Sequence, residues 1–70
     1  MTKTLKRQIN EMINRNETMV DIINYLFTCD YSPAEVVTML VNDFNCNRQL
    51  VKDTMWGDFR MDMSFFVNML

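Results

Sequence analysis

The sequence predicts an all-α fold, a compact bundle of four or five short helices containing a helix-turn-helix-like central pair. The 70 residues include one Gly, one Pro and 49% hydrophobic residues, so little of the chain suits β-hairpin turns. Apolar residues recur at helical spacing along most of it. We therefore predict a single helical domain over residues 1–70. Its predicted helices are 3–14, 18–28, 33–44, 47–56 and 58–69.

The first helix is predicted from one apolar stripe, with polar residues on its other faces. The stripe consists of Leu5, Ile9, Met12 and Ile13. Two interpretations remain open beyond it. Potential N-caps at Asn14 and Thr18 favour a break and a second helix from residue 18. Alternatively, a heptad seam runs through residues 5–26 with Asn16 at a polar seam position, and a single long helix of this kind favours a coiled-coil dimer.

The second helix is predicted to be apolar on most of its circumference. Only Asp21, Asn24 and Tyr25 suit a surface facing water. A helix of this type either lies at the centre of a bundle or contacts a second chain. Residues 29–31 leave room for only a short connection, so the helices on either side should pack directly against each other.

The central pair of helices has the clearest start and stop signals in the chain. Ser32, Pro33 and Glu35 predict a helix start, with a Ser N-cap, Pro at the first helical position and Glu completing a capping box. Asn45 favours the left-handed conformation that ends a helix, and Asn47 can cap the next helix. The pattern predicts a helix, a tight turn and a second helix.

A helix-turn-helix DNA-binding protein buries the inner side of such a pair and contacts DNA with the outer face of the second helix. The inner positions would be Leu40, Phe44, Cys46, Val51 and Met55. The outer face would present Arg48, Gln49 and Lys52, side chains that bind base edges and phosphates. Bulky Val41 at the helix crossing and Asp53 on the outer face weigh against DNA binding. The alternative is a helical hairpin that only packs a small core.

The C-terminal segment combines a helix stop with an excess of apolar surface. Gly57 is predicted to end the fourth helix or to form a hinge, and Asp58 to cap the fifth. The last helix has apolar residues on two sides, and exposed apolar patches usually mark an interface. We interpret one side as a partner or dimer interface, formed by Phe59, Met63, Phe66, Val67 and Leu70. The opposite side carries Met61, Phe65 and Met69. The alternative is that this helix is buried as the last core element.

Charge is unevenly distributed along the chain, around a net charge of −2 and a pI near 4.8. Residues 1–15 contain four basic residues and one acidic residue, a net charge of +3. Residues 16–46 contain five acidic residues and no basic residue. Because nucleic-acid binders usually depend on a basic surface for affinity, this distribution favours a protein partner over DNA.

The sequence contains no pattern typical of a catalytic, metal-binding or membrane-spanning site. It has no His, no Gly-rich phosphate loop, and two Cys without a nearby ligand-like partner. No apolar run approaches the roughly 20 residues of a membrane span, and the N-terminus does not resemble a secretory signal. We expect a cytoplasmic protein with reduced thiols that has no cofactor, metal, small-molecule substrate or enzymatic activity.

Two functions are consistent with these features. The first is a small regulatory or inhibitory protein that binds a protein partner and self-associates as a homodimer. The second is a dimeric helix-turn-helix transcriptional regulator that binds DNA. The charge distribution ranks the first ahead of the second. The abundance of Asn and Met against a single Ala would suit an AT-rich genome, such as that of many phages or mobile elements.

Overall fold

The chain folds into five α-helices and one π-helical turn in a computed structural model, which describes residues 3–70. The elements are α1 (Lys3–Asn14), α2 (Met19–Thr28), α3 (Pro33–Thr38), a π turn (Met39–Asp43) that continues α3, α4 (Arg48–Phe59) and α5 (Ser64–Asn68). No β-strand occurs within these described residues. The predicted all-α bundle is confirmed.

The chain breaks between α1 and α2, so two helices form in place of a single heptad-seam helix. Asn16 has a φ of 59°, and the Glu17 amide donates back to the Met12 carbonyl at 3.1 Å. This left-handed residue closes α1. The Thr18 side chain then accepts a hydrogen bond from the Asp21 amide at 3.2 Å and caps α2. The Asn that would have occupied the seam is instead a helix terminator.

The predicted capping box at the start of α3 is confirmed. The Glu35 amide donates to Ser32 Oγ at 3.2 Å, and the Ser32 amide donates to Glu35 Oε1 at 3.0 Å. The predicted turn also forms, because Asn45 has a φ of 53°. Asn47 caps α4 by accepting a hydrogen bond from the Leu50 amide at 3.0 Å. Local sequence signals therefore position the whole central pair.

The helix predicted over 33–44 is not α-helical throughout. It widens at the π turn, where the Phe44 amide donates to the Met39 carbonyl five residues back at 3.2 Å. Immediately before this turn, the Thr38 hydroxyl donates to the Ala34 carbonyl at 2.8 Å. A side-chain bond of this kind competes with the backbone ladder and weakens α-helical geometry.

The predictions for Gly57 and Asp58 were wrong. α4 continues through both residues to Phe59, and Arg60 ends it with a φ of 57°. The extension brings the Phe59 ring into edge-to-face contact with Phe27, with ring centroids 5.4 Å apart and an interplanar angle of 79°. Aromatic pairs in this arrangement are favourable beyond the area that they bury, so tertiary packing extends the helix past its local stop signal.

The fifth helix is much shorter than the predicted 58–69. α5 comprises only Ser64–Asn68, and the chain before it forms a connection. Asp62, rather than Asp58, supplies the carboxylate that precedes it, because the Ser64 amide donates to Asp62 Oδ1 at 3.0 Å. The side chain of Val67 is fully enclosed and anchors α5 to the bundle.

The hydrophobic core draws on every helix and on the π turn. α2 lies at its centre and packs against both α3 and α4. The radius of gyration is 11.1 Å, close to the value of about 11 Å expected for a compact chain of this length. The buried apolar residues are Leu5, Ile9, Met12, Ile22, Ile23, Leu26, Val36, Val37, Met39, Leu40, Val41, Val51, Met55 and Val67.

Candidate functional site

The outer face of α4 carries the three side chains predicted to contact DNA. Arg48 and Gln49 are exposed in its first turn, and Lys52 is half-buried one turn later. Trp56 follows at the next turn and is 57% exposed. Because residues three and four apart share a helix face, these side chains form one continuous surface.

Acidic and amide groups are in contact with this face. Gln49 Nε2 donates to Asp53 Oδ1 at 2.8 Å, and Lys52 Nζ lies 3.5 Å from Asn68 Oδ1 of α5. The pKa of Asp62 is lowered, mainly by the hydrogen bond from the Ser64 backbone, with a smaller contribution from the positive charge of Lys52. The face therefore combines both signs of charge and offers a phosphate backbone little net attraction.

The inner side of the central pair is packed as both interpretations of the pair require. Leu40, Val51 and Met55 are fully buried, and Phe44 and Cys46 are partly buried against them. Partial burial raises the pKa of the Cys46 thiol, which favours the protonated form over the reactive thiolate. This packing suits a DNA-binding pair and a core hairpin equally, so it does not separate the two functions.

The C-terminal residues predicted as an interface face the interior of the bundle. Phe59, Met63, Phe66 and Leu70 are half-buried and pack against the core. Val67 is completely enclosed, so it has no surface to offer a partner in this fold. A chain of 70 residues has few apolar residues available for its core, and it uses this side of the segment to complete it.

The opposite side of the C-terminal segment is exposed. Phe65 is 81% exposed and Met69 is 64% exposed, one helical turn further along. The sequence pattern placed both residues on the face away from the predicted interface. The burial of Val67 in the core fixes the side of α5 from which they project.

A surface groove lies where α5 packs beside α3 and the π turn. Its volume is about 340 Å³, and we call it the acidic groove because Glu35 and Asp43 stand exposed at its edge. Its less exposed lining comprises Tyr31, Ala34, Thr38, Met39 and Phe66. Sequence analysis missed this site, although the run of acidic residues between 16 and 46 was a partial signal.

Disulfides, metal-binding clusters and membrane-spanning helices are absent from the part of the chain that the structure describes. Both cysteines are free, with Cys29 exposed and Cys46 partly buried. Across residues 3–70, no three His, Cys, Asp or Glu side chains are grouped so as to hold a metal ion. In the same range, no helix is long and apolar enough to cross a membrane.

Comparison with protein families, curated proteins and solved structures found no match to this chain.

Proposed function

We propose that this chain is a small, non-enzymatic regulatory or inhibitory protein that binds a protein partner and self-associates. The observation that carries the proposal is the exposure of Phe65 and Met69, at 81% and 64%. The two residues lie four positions apart, Phe65 in α5 and Met69 at its C-cap in the right-handed helical conformation, so their side chains form one apolar stripe, the α5 stripe. Large apolar side chains that adjoin one another on a surface commonly mark an interface.

The location of this stripe suits pairing between two copies. In a twofold dimer the same patch contacts itself on the other subunit, and a single short helix can provide such a patch. The enclosed side chain of Val67 fixes the opposite side of α5 in the core. The outer stripe is thereby presented from an anchored element, which lowers the ordering cost of association.

A dimeric helix-turn-helix DNA-binding regulator is the second candidate. It is favoured by the exposure of Arg48 and Gln49 in the first turn of α4, because recognition helices contact bases with their N-terminal residues. The carboxylates of Asp53 and Asp62 lie beside Lys52 and reduce the net positive charge that this face offers to phosphates. These carboxylates rank DNA binding second.

Sedimentation velocity of Phe65→Asp tests the self-association. A carboxylate in the stripe would have to be desolvated in a dimer, so this variant should sediment as a monomer where wild-type protein sediments as a dimer. Leu50→Asp is the matched control, since Leu50 is 50% exposed on α4 and lies outside the stripe. That variant should still dimerise.

Two results would contradict the proposal. The first is wild-type protein that stays monomeric from low to high micromolar concentration with a cooperative melting transition. The second is equal loss of the dimer in both Asp variants, which would show that the α5 stripe is not the interface. Circular dichroism of each variant confirms that the helical fold is retained.

A further inference from the structure

We infer that the acidic groove binds a basic, amphipathic segment of the protein partner. This inference rests on the proposed function, because it names the chemistry of the partner that the function requires. It also concerns a different surface from the α5 stripe, since of the C-terminal residues only Phe66 lines the groove. The partner site and the self-association site therefore share no residue and can be tested with separate substitutions.

The interior of the groove is suited to an apolar side chain. Met39 is buried beneath it, while Tyr31, Ala34 and Phe66 are partly exposed. The Thr38 hydroxyl is already donated to the Ala34 carbonyl at 2.8 Å, so a ligand need not supply an acceptor for it. Met adapts its shape readily to different ligands, and a volume of about 340 Å³ is at the lower end of the range for ligand pockets.

The edge of the groove is suited to positive charge. Glu35 and Asp43 are both exposed there. Glu35 Oε1 accepts from the Ser32 amide, and a carboxylate has further acceptor sites on its second oxygen. No Lys or Arg lines the groove, and residues 31–43, which supply all of its lining except Phe66, contain two acidic residues and no basic residue, so no cation of this segment competes for the edge.

A second copy of this chain does not match the groove well. Three of its seven basic residues, Lys3, Lys6 and Arg7, lie on α1, but three of the four residues in the apolar stripe of that helix are buried in its own core. Its exposed α5 stripe lies in a segment without a basic residue. On α4 the exposed Trp56 lies beside Lys52, but Asp53 and Asp62 line the same surface and would meet the carboxylates of the groove. A foreign amphipathic segment can instead combine an apolar anchor with positive charge alone on one face, as in helix-in-groove recognition.

A labelled synthetic peptide provides the first test. The probe is a helical peptide of about 18 residues, roughly five turns, with Leu on one face and Lys on the other, and we call it the Lys peptide. Titration into full-length, isotope-labelled protein should give saturable binding and shift the amide resonances of Ala34, Thr38 and Phe66. A peptide with Glu in place of every Lys should not bind, because like charges would meet at the groove edge.

Two matched double variants test the role of the edge. Glu35→Gln with Asp43→Asn removes both groove carboxylates, and the Gln retains an acceptor for the Ser32 amide. Because exposed ion pairs are individually weak, affinity for the Lys peptide should fall by about 2- to 30-fold. Glu11→Gln with Asp58→Asn removes two exposed carboxylates outside the groove and changes net charge equally. This control should alter affinity by less than twofold.

Three outcomes would overturn the inference. The first is the absence of saturable Lys-peptide binding at millimolar concentration. The second is an equal loss of peptide affinity in both double variants. The third is loss of the dimer in the Glu35→Gln, Asp43→Asn variant, which would make a second copy the occupant of the groove. Failure here is distinguishable from failure of the proposed function. If the protein dimerises but does not bind the Lys peptide, only the groove inference is contradicted. If it stays monomeric but binds the Lys peptide, only the proposed self-association is contradicted.

Discussion

Helix ends in this chain rely on left-handed residues other than glycine. Asn16, Asp30, Asn45 and Arg60 have φ between 53° and 68°, and each lies within two residues of the end of a helix. Short polar side chains tolerate this conformation through local hydrogen bonds, whereas Arg60 carries the ordinary penalty of roughly 1–2 kcal/mol for a left-handed residue. Gly57, which would adopt it freely, lies inside α4.

Gly57→Ala should therefore stabilise the protein. A Cβ built at Gly57 meets no atom within 4 Å, and its φ is not positive. Glycine in a helix interior costs about 0.5–1 kcal/mol relative to alanine. The melting temperature should rise by about 2–8 °C for a domain of this size, as measured by circular dichroism.

Arg60→Gly is the complementary change and should also stabilise the fold, because glycine adopts positive φ without a steric penalty. Arg60→Ala is its control, since it removes the charge but keeps the strained conformation, and it should give no gain. If Gly57 instead worked as a hinge, as the sequence alone indicated, Gly57→Ala would leave the melting temperature unchanged or lower it.

At the scale of elements, the starts of α2, α3 and α4 and the turn at Asn45 could be predicted from sequence, whereas the end of α4 and the start of α5 could not. Ser32 and Asn47 act through hydrogen bonds to residues three positions away, so a short stretch of sequence contains all the information. The end of α4 depends on the contact between Phe59 and Phe27, residues distant in sequence. The acidic groove depends on the π turn and on α5 beside α3, so its location was equally inaccessible without the tertiary fold.

Ser32→Ala should destabilise the protein through loss of one half of the capping box. The Glu35 amide would lose its acceptor, at a cost of about 0.5–2 kcal/mol, and thermal unfolding should shift down by several degrees. Ser64→Ala is the comparison variant, because Ser64 begins α5 without a side-chain cap bond to that helix and its hydroxyl bonds instead to the exposed Asp62 carboxylate, a contact of small expected value. Similar losses in both variants would mean that the Ser32 cap contributes nothing specific.

The same capping box should make stability depend on pH. The pKa of Glu35 is held below its usual range by the hydrogen bond from the Ser32 backbone. A carboxyl with a lowered folded-state pKa contributes stability above its unfolded value of about 4.3, and this contribution is lost as pH falls through the folded value. Wild-type protein should thus lose more stability than Glu35→Gln between pH 6 and pH 3.

Urea titrations across this range provide the measurement. The Asp62 carboxyl also has a lowered pKa, but it is present in both proteins, so the difference between the two pH profiles reports Glu35. Superimposable profiles would contradict the prediction. They would indicate that the Glu35 carboxylate gains no net stabilisation from the cap in solution.

At the scale of the whole molecule, one small core leaves the α5 stripe exposed on the surface. Val67 and its neighbours complete the interior, while Phe65 and Met69 remain outside on α5. Truncation after Gly57 would remove Val67 with the rest of α5, so it would damage the core and could not serve as a test of binding. Single substitutions on the outer face, such as Phe65→Asp, separate the two roles because the core is untouched.

The final prediction distinguishes the two candidate functions. In a gel shift on random-sequence duplex at roughly 50 mM salt, non-specific affinity should be visible for a DNA-binding protein. We expect no shift at micromolar concentration, because the carboxylates of Asp53 and Asp62 lie beside Lys52 and offset the positive charge of this face. Arg48→Glu with Lys52→Gln should correspondingly leave self-association and Lys-peptide binding unchanged. A clear shift that this double variant abolishes, and that weakens steeply with added salt, would place DNA binding first.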